Sequence, residues 1–167
     1  MSEADFEAEI EIRAATPEDA GAVAEIFLES AEHHVELDGE RYRVPTLEMI
    51  STRYREGRQH PEDAQAITLV AELGGEVIGF IDVRLEQSSD AMHREMTFCH
   101  VSEIAVRDGR RSRGVGGLMM RAAEEWGRSM GAEFASLEFH NGNTRASRFY
   151  QERMGYRPVS ITAIKRL

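Results

Sequence analysis

The chain has 167 residues, 41% of them apolar and 30% charged, with 30 acidic against 20 basic side chains and a formal net charge of −10. That length suits one domain with a real core, and the apolar fraction excludes a disordered chain. So acidic a surface argues against nucleic acid and anionic lipid as partners, no apolar run approaches the roughly 20 residues of a membrane helix, and the single cysteine, Cys99, excludes an internal disulfide.

Residues 1–8 are acidic and lack the basic start and apolar stretch of a signal peptide. They read as a flexible tail on a cytoplasmic protein, with one domain over 9–167. Ile10–Ala14 alternates as a strand does. "TPEDAGAVAEIFLESAEHH" opens a helix, with Thr16 as cap, Pro17 at the first helical position and Glu18 and Asp19 in the first turn. "VELDGERYRVP" breaks the pattern, and "TLEMISTRYREG" reads as a second, less regular helix. "AITLVAEL" and "EVIGFIDVRLE" are strands joined by Gly74-Gly75, a hairpin signal because both turn residues tolerate positive φ. After the polar loop "QSSDAMHREM" comes a further strand, "TFCHVSEIAV".

The stretch "RDGRRSRGVGGLMM" (107–120) then makes a basic, glycine-rich turn into a helix. Leu118, Met119, Ala122, Ala123, Trp126 and Met130 form the apolar stripe of that helix, and Gly131 stops it. "EFASLEFH" is a strand, "NTRASRFYQERMG" a helix capped by Asn143 or Thr144, and "YRPVSITAIKRL" closes with one or two strands. This order describes a single mixed α/β domain.

A strand, a glycine turn and a helix N-terminus form an anion cradle, since the first helical N–H groups lack partners and the macrodipole is positive there. On so acidic a chain the anion site has to be local. A P-loop is excluded: Gly109 and Gly114 have the spacing, but Val115 and Gly116 stand where Lys and Ser/Thr are needed. The dinucleotide fingerprint also fails, because Met119 replaces its third glycine and the turn lies late in the chain.

A third pattern, R-x-x-G-x-G, is met by Arg111, Gly114 and Gly116, preceded by "SEIAV". A second, N-x-x-A-x-x-[FL]-Y followed by G-[FY], is met by Asn143, Ala146, Phe149, Tyr150, Gly155 and Tyr156. With the order of elements over about 9–167, this resembles the GNAT superfamily of acetyl-CoA-dependent N-acetyltransferases. The resemblance implies an α/β fold with a mixed, mostly antiparallel sheet of six to seven strands and about four helices. Two parallel strands, here "SEIAV" and "ASLEF", would splay apart at the acetyl-CoA site. The run from Arg111 through Ser112, Arg113, Gly114, Val115 and Gly116 to Gly117 would hold the pyrophosphate of coenzyme A. The strand edge at Ile104, Ala105 and Val106 would pair with the pantetheine arm, and Asn143 would cap its helix and contact the cofactor. In one respect the chain departs from the family: four residues, "QERM", separate Tyr150 from Gly155 where three are usual.

The implied reaction transfers acetyl directly to the primary amine of a small molecule or peptide. An alkyl ammonium costs about 4.6 kcal/mol to deprotonate at pH 7, an α-amine only about 1 kcal/mol, so the first needs a base more than the second. Glu103, on the strand before the turn, is the first candidate base. His140 and His100 follow, and water stays open. Tyr150 falls on the family's general-acid position, protonating the departing thiolate. Its packing with Ala146, Phe149 and Met154 is the competing role. His33 and His34 are adjacent, point to different helix faces and match no metal pattern, so no metal is expected. Cys99 reads as strand filling. A GNAT-like acyl-CoA sensor without turnover is the alternative function, and a homodimer is left open.

Overall fold

The computed structural model describes residues 6, 9–57, 65–88 and 91–167. Of the tail expected over 1–8 only Phe6 is among them, and it is buried, with the guanidinium of Arg113 5.3 Å from its ring centroid. The other tail residues lie outside the described residues, as do Ser89 and Asp90 of the polar loop.

Five strands, β1 (Ile10–Ala14), β2 (Ala66–Leu73), β3 (Glu76–Gln87), β4 (Thr97–Val106) and β5 (Phe134–Leu137), lie in one sheet in chain order. The first three pairings form an antiparallel meander, and β4 and β5 run parallel. The β2–β3 hairpin turns on Gly74 (φ 58°) and Gly75 (φ 84°), the doubly left-handed geometry that its Gly-Gly spelling requires.

Among the described residues four α-helices accompany the sheet: α1 (Ala20–Leu37), α2 (Leu47–Glu56), α3 (Val115–Ser129) and α4 (Thr144–Arg148). A short 3-10 turn, Pro17–Asp19, leads into α1, and Asp19 accepts the backbone N–H of Thr16 at 2.7 Å. Arg13 grips Asp19 and Glu72 together, holding the Asp19 carboxyl down to about 2. The caps of α2 and α4 are Thr46 and Asn143, whose side-chain oxygens accept from Met49 and Ala146.

Strand alternation splits the core in two. Ile78, Ile81, Val83, Cys99 and Val101 face Met119, Met120 and Ala123 of α3. Val70, Phe80 and Ala105 face Val23, Ala24 and Ile26 of α1 and Ile50 and Tyr54 of α2. The α3 contact is close: a Cβ on Gly127 would sit 2.5 Å from Cys99 Cβ and 2.7 Å from its Sγ.

The strand count is lower than the six to seven expected. Val159, Ile161 and Ile164 keep an alternating apolar look but are 77%, 94% and 69% exposed, and none of the described strands pairs with them. Residue pattern records a preference, whereas a strand also needs a neighbouring edge for its hydrogen bonds.

Candidate active site

The pairing of β4 with β5 runs from Phe98↔Phe134 to Val101↔Leu137 and stops. Beyond it β4 continues to Val106 with β3 on one side only, so the two parallel strands part at Val101. The β3–β4 register shifts at the same level. Asp82 faces Glu103 while Val83 faces Val101, leaving Ser102 as an extra residue on β4. A bulge bends the strand and re-aims the side chains after it. Glu103 therefore stands just past both the bulge and the split.

Glu103 opens into a pocket of about 130 Å3, shared with Phe27, Ser30, Ala31 and His34 of α1 and with Tyr42 and Arg43 of the following loop. Burial raises its pKa above the ordinary carboxylate range, and the charge of Asp82 raises it further, while His34 and Arg53 oppose. Asp82 is held from behind. It accepts the Tyr54 hydroxyl at 2.5 Å and the Thr68 hydroxyl through its other oxygen.

Tyr150 reaches the site from the other side. It sits in a π-helical turn, Phe149–Arg153, that continues α4. The N–H of Met154 donates to the carbonyl of Phe149 at 3.1 Å, which takes up the extra residue of "QERM" inside the helix. Tyr150 is 8% exposed and packs on Phe139, Phe149 and Tyr156, with centroids 5.4, 5.1 and 6.2 Å away. Burial, then the charge of Glu103, push its hydroxyl up to about 12.

The turn before α3 carries three left-handed residues, Gly109 (φ 77°), Ser112 (φ 62°) and Gly114 (φ 81°). Beyond it Val115, Gly116 and Gly117 open α3, where backbone N–H groups have no intrahelical partner. A Cβ on Gly116 would come 3.3 Å from the Phe149 ring, so the first turn of α3 packs directly on the segment carrying Tyr150.

Most of the arginines here are already engaged. Arg107 meets Glu25 and Glu29, and Arg110 meets Glu76. Arg111 donates Nε to the Val106 carbonyl at 3.0 Å and pairs with Asp108 at 2.8 Å. Its side chain braces the turn on the same edge where Ile104 and Ala105 lie. Arg113 and Arg145 are in no ion pair among the described residues, and Arg145 donates to the Ser112 hydroxyl at 3.1 Å.

The other candidate bases are placed differently. His140 accepts the Gly142 N–H on Nδ1 at 3.0 Å and faces Asp38 with Nε2 at 3.4 Å, so both ring nitrogens are occupied. His100 lies below the split, with Nδ1 on the Ser136 hydroxyl at 3.0 Å. Cys99 is buried, and burial pushes its thiol up. The sequence reading gave no role to Asp82, Tyr54 or Arg145, and it weighed His34 only as a metal ligand. For His34 a signal was present, because Phe27, Ser30, Ala31 and His34 fall at i, i+3, i+4 and i+7, one face of a helix.

A family model described as Acetyltransferase (GNAT) family matches residues 23–156. The chain is 27% identical over 141 residues to the uncharacterized N-acetyltransferase YhfO of Bacillus subtilis, covering 84% of this chain and 86% of that protein. It is 29% identical over 107 residues to an N-alpha-acetyltransferase of Sulfurisphaera tokodaii, covering 62% and 64%. Its fold superposes on a crystal structure of the BH1408 protein of Bacillus halodurans with a TM-score of 0.85 at 23% identity, over 94% of this chain and 99% of that one. With the aminoglycoside N-acetyltransferase AAC(6')-Iy, solved with CoA, the TM-score is 0.68 at 17% identity, over 95% and 94%. Strand split, glycine turn and matched model agree: the chain belongs to the GNAT acetyltransferase family, and is an acyltransferase whose cofactor is acetyl-CoA.

Proposed function

We infer that the chain acetylates a primary amine of a small molecule or peptide, with Glu103 as general base and Tyr150 as general acid. The observation that carries this reading is the pocket into which Glu103 opens just past the split between β4 and β5, with the buried Tyr150 near enough for the charge of Glu103 to act on its hydroxyl. Acetyl-CoA supplies the thioester that the acceptor amine attacks. The left-handed turn at Gly109, Ser112 and Gly114 and the first turn of α3 suit its pyrophosphate, with Arg113 and Arg145 beside them. The free side of β4 at Ile104 and Ala105 suits an amide-bearing arm, and the Val106 carbonyl is already taken by Arg111.

Glu103 is suited to its task because burial leaves the protonated form affordable, so a carboxylate there takes a proton more readily than one in water. Tyr150 is suited to donate because its hydroxyl stays protonated well past neutral pH. Relatives named for amine acetylation, among them a streptothricin acetyltransferase and aminoglycoside acetyltransferases, support an amine as acceptor. The test is CoA-thiol release over polyamines, amino acids, aminoglycosides and N-terminal peptides. Amine-dependent release that Glu103→Gln lowers by about 10²–10⁴-fold, with acetyl-CoA binding kept, is expected. Release that no amine accelerates would overturn the reading.

A further inference from the structure

Glu103 has to shed the proton it collects before the next turnover, and it stands inside a pocket with Asp82 behind it. His34 lines the same pocket from α1. Its Nδ1 lies 2.8 Å from the carbonyl oxygen of Ser30, one helical turn back. A carbonyl can only accept, so Nδ1 carries the hydrogen. In the neutral ring the lone pair is then on Nε2. His34 is thus held in the tautomer that can receive a proton, whereas both nitrogens of His140 are engaged and His100 lies below the split.

We propose that His34 is a proton-relay residue of the acceptor pocket, taking from Glu103 the proton of the acceptor ammonium and passing it to solvent. The proposal rests on reading this pocket as the acceptor site. The ammonium N–H bond breaks as an O–H bond forms on Glu103, leaving the amine its lone pair. That O–H bond breaks in turn as an N–H bond forms on His34 Nε2, restoring the carboxylate. The resulting imidazolium keeps its Nδ1–H on Ser30 and loses the new proton to water. Both groups return to their starting state, and no further reagent is consumed.

The charged and titratable surroundings bear on both steps, burial favouring uptake of the proton by Glu103. Asp82 on β3 repels charge on Glu103, Arg53 on α2 and His34 itself favour it, and Arg43 lines the mouth of the pocket. On the far side Tyr42 lies between His34 and His140, with centroids 5.1 and 6.1 Å away, and His140 is turned toward Asp38. His33 points to Glu36 on its own helix. A relay matters most for an alkyl ammonium, which holds its proton tightly, and least for an α-amine.

The experiment compares parent, His34→Gln, Glu103→Gln and the double variant, with an alkylamine and a peptide α-amine as acceptors. His34→Gln should lower kcat about 10²-fold with the alkylamine and far less with the peptide. The acetyl-CoA-induced shift in Tm should match the parent, which excludes a folding defect. Because the two groups act in series, the double variant should be no slower than the slower single one. Imidazole in the buffer should restore part of the rate of His34→Ala. In the parent without acetyl-CoA, long-range 1H–15N NMR should find the hydrogen of His34 on Nδ1. Multiplicative losses, equal losses with both amines, or a hydrogen on Nε2 would each overturn the relay and leave Glu103 as base. A parent that binds acetyl-CoA but releases no thiol with either amine would instead overturn the acetyl-transfer reading, and the relay with it.

Discussion

The N–H of Met154 reaches back five residues to the carbonyl of Phe149, at 3.1 Å, where an α-helix would reach back four. This one wide turn stores the residue that the family spacing lacks room for, and it lies directly under Tyr150. The N–H of Tyr156 then returns to the Tyr150 carbonyl at 2.9 Å, closing the segment. The insertion is thereby absorbed within the helical segment that carries Tyr150.

Tyr150→Phe should therefore keep the fold. The ring contacts with Phe139, Phe149 and Tyr156 remain, and the hydroxyl has no hydrogen-bond partner among the described residues. Its loss removes an interaction that grows as the thiolate departs, so kcat should fall about 10²–10⁴-fold while acetyl-CoA affinity changes little. Steady-state kinetics beside a thermal melt decide it. A parental kcat would show that the hydroxyl is not aimed at the leaving sulfur.

Glu103→Gln should stabilise the protein at neutral pH. The folded pKa of Glu103 is raised, so its burial costs stability once the unfolded carboxyl ionises. That cost is absent below the ordinary carboxylate range, grows as pH rises from there through the folded pKa, and then stays constant. The variant should melt above the parent at neutral pH, and the gap should close as the pH is lowered. A gap that persists in acid would mean that the carboxylate is not the strained group.

Gly114→Asp places a side chain and a negative charge at the left-handed cap of α3. Acetyl-CoA at 100 times its dissociation constant should stabilise the parent by about 2.7 kcal/mol and leave the variant unmoved. Gly114→Asn, which brings the bulk without the charge, should recover part of the shift. An Asp variant that responds as the parent does would place the pyrophosphate elsewhere.

Gly127→Ala should force α3 away from β4, because the new methyl would meet Cys99 Cβ at 2.5 Å. Overpacking of this kind costs about 1–3 kcal/mol, or several degrees in Tm for a domain of this size. Cys99→Ser should not relieve it, since the offending Cβ remains, whereas Cys99→Gly should in the double variant. Thermal melts of the four proteins check the coupling.

Much of the frame could be read from local chemistry. Gly74-Gly75 spells its hairpin, Gly114 and Gly116 mark the start of α3, and Asn143 caps α4 as its spacing implies. What escaped depends on long-range pairing. The Ser102 bulge exists only as a mismatch between β3 and β4, so no window of one strand can reveal it. The same holds for Asp82, an unremarkable acid on a strand until Tyr54, Thr68 and Glu103 converge on it. The closing segment misled for the opposite reason, since Val159 and Ile161 alternate well but are exposed and pair with none of the described strands.

Carboxylates of α1, β3 and the turn itself hold Arg107, Arg110 and Arg111, which offsets most of the positive charge of the basic turn. A polyanionic coenzyme thus approaches a molecule of net charge −10 with little long-range attraction to guide it. Added salt should screen that repulsion while breaking few direct ion pairs. The association rate of acetyl-CoA, followed by stopped flow, should rise or stay level as ionic strength increases, where a site built on free arginines would slow steeply. On the proposed reading, capture then falls to backbone N–H groups, which no change of pH can titrate, with Arg113 and Arg145 beside them.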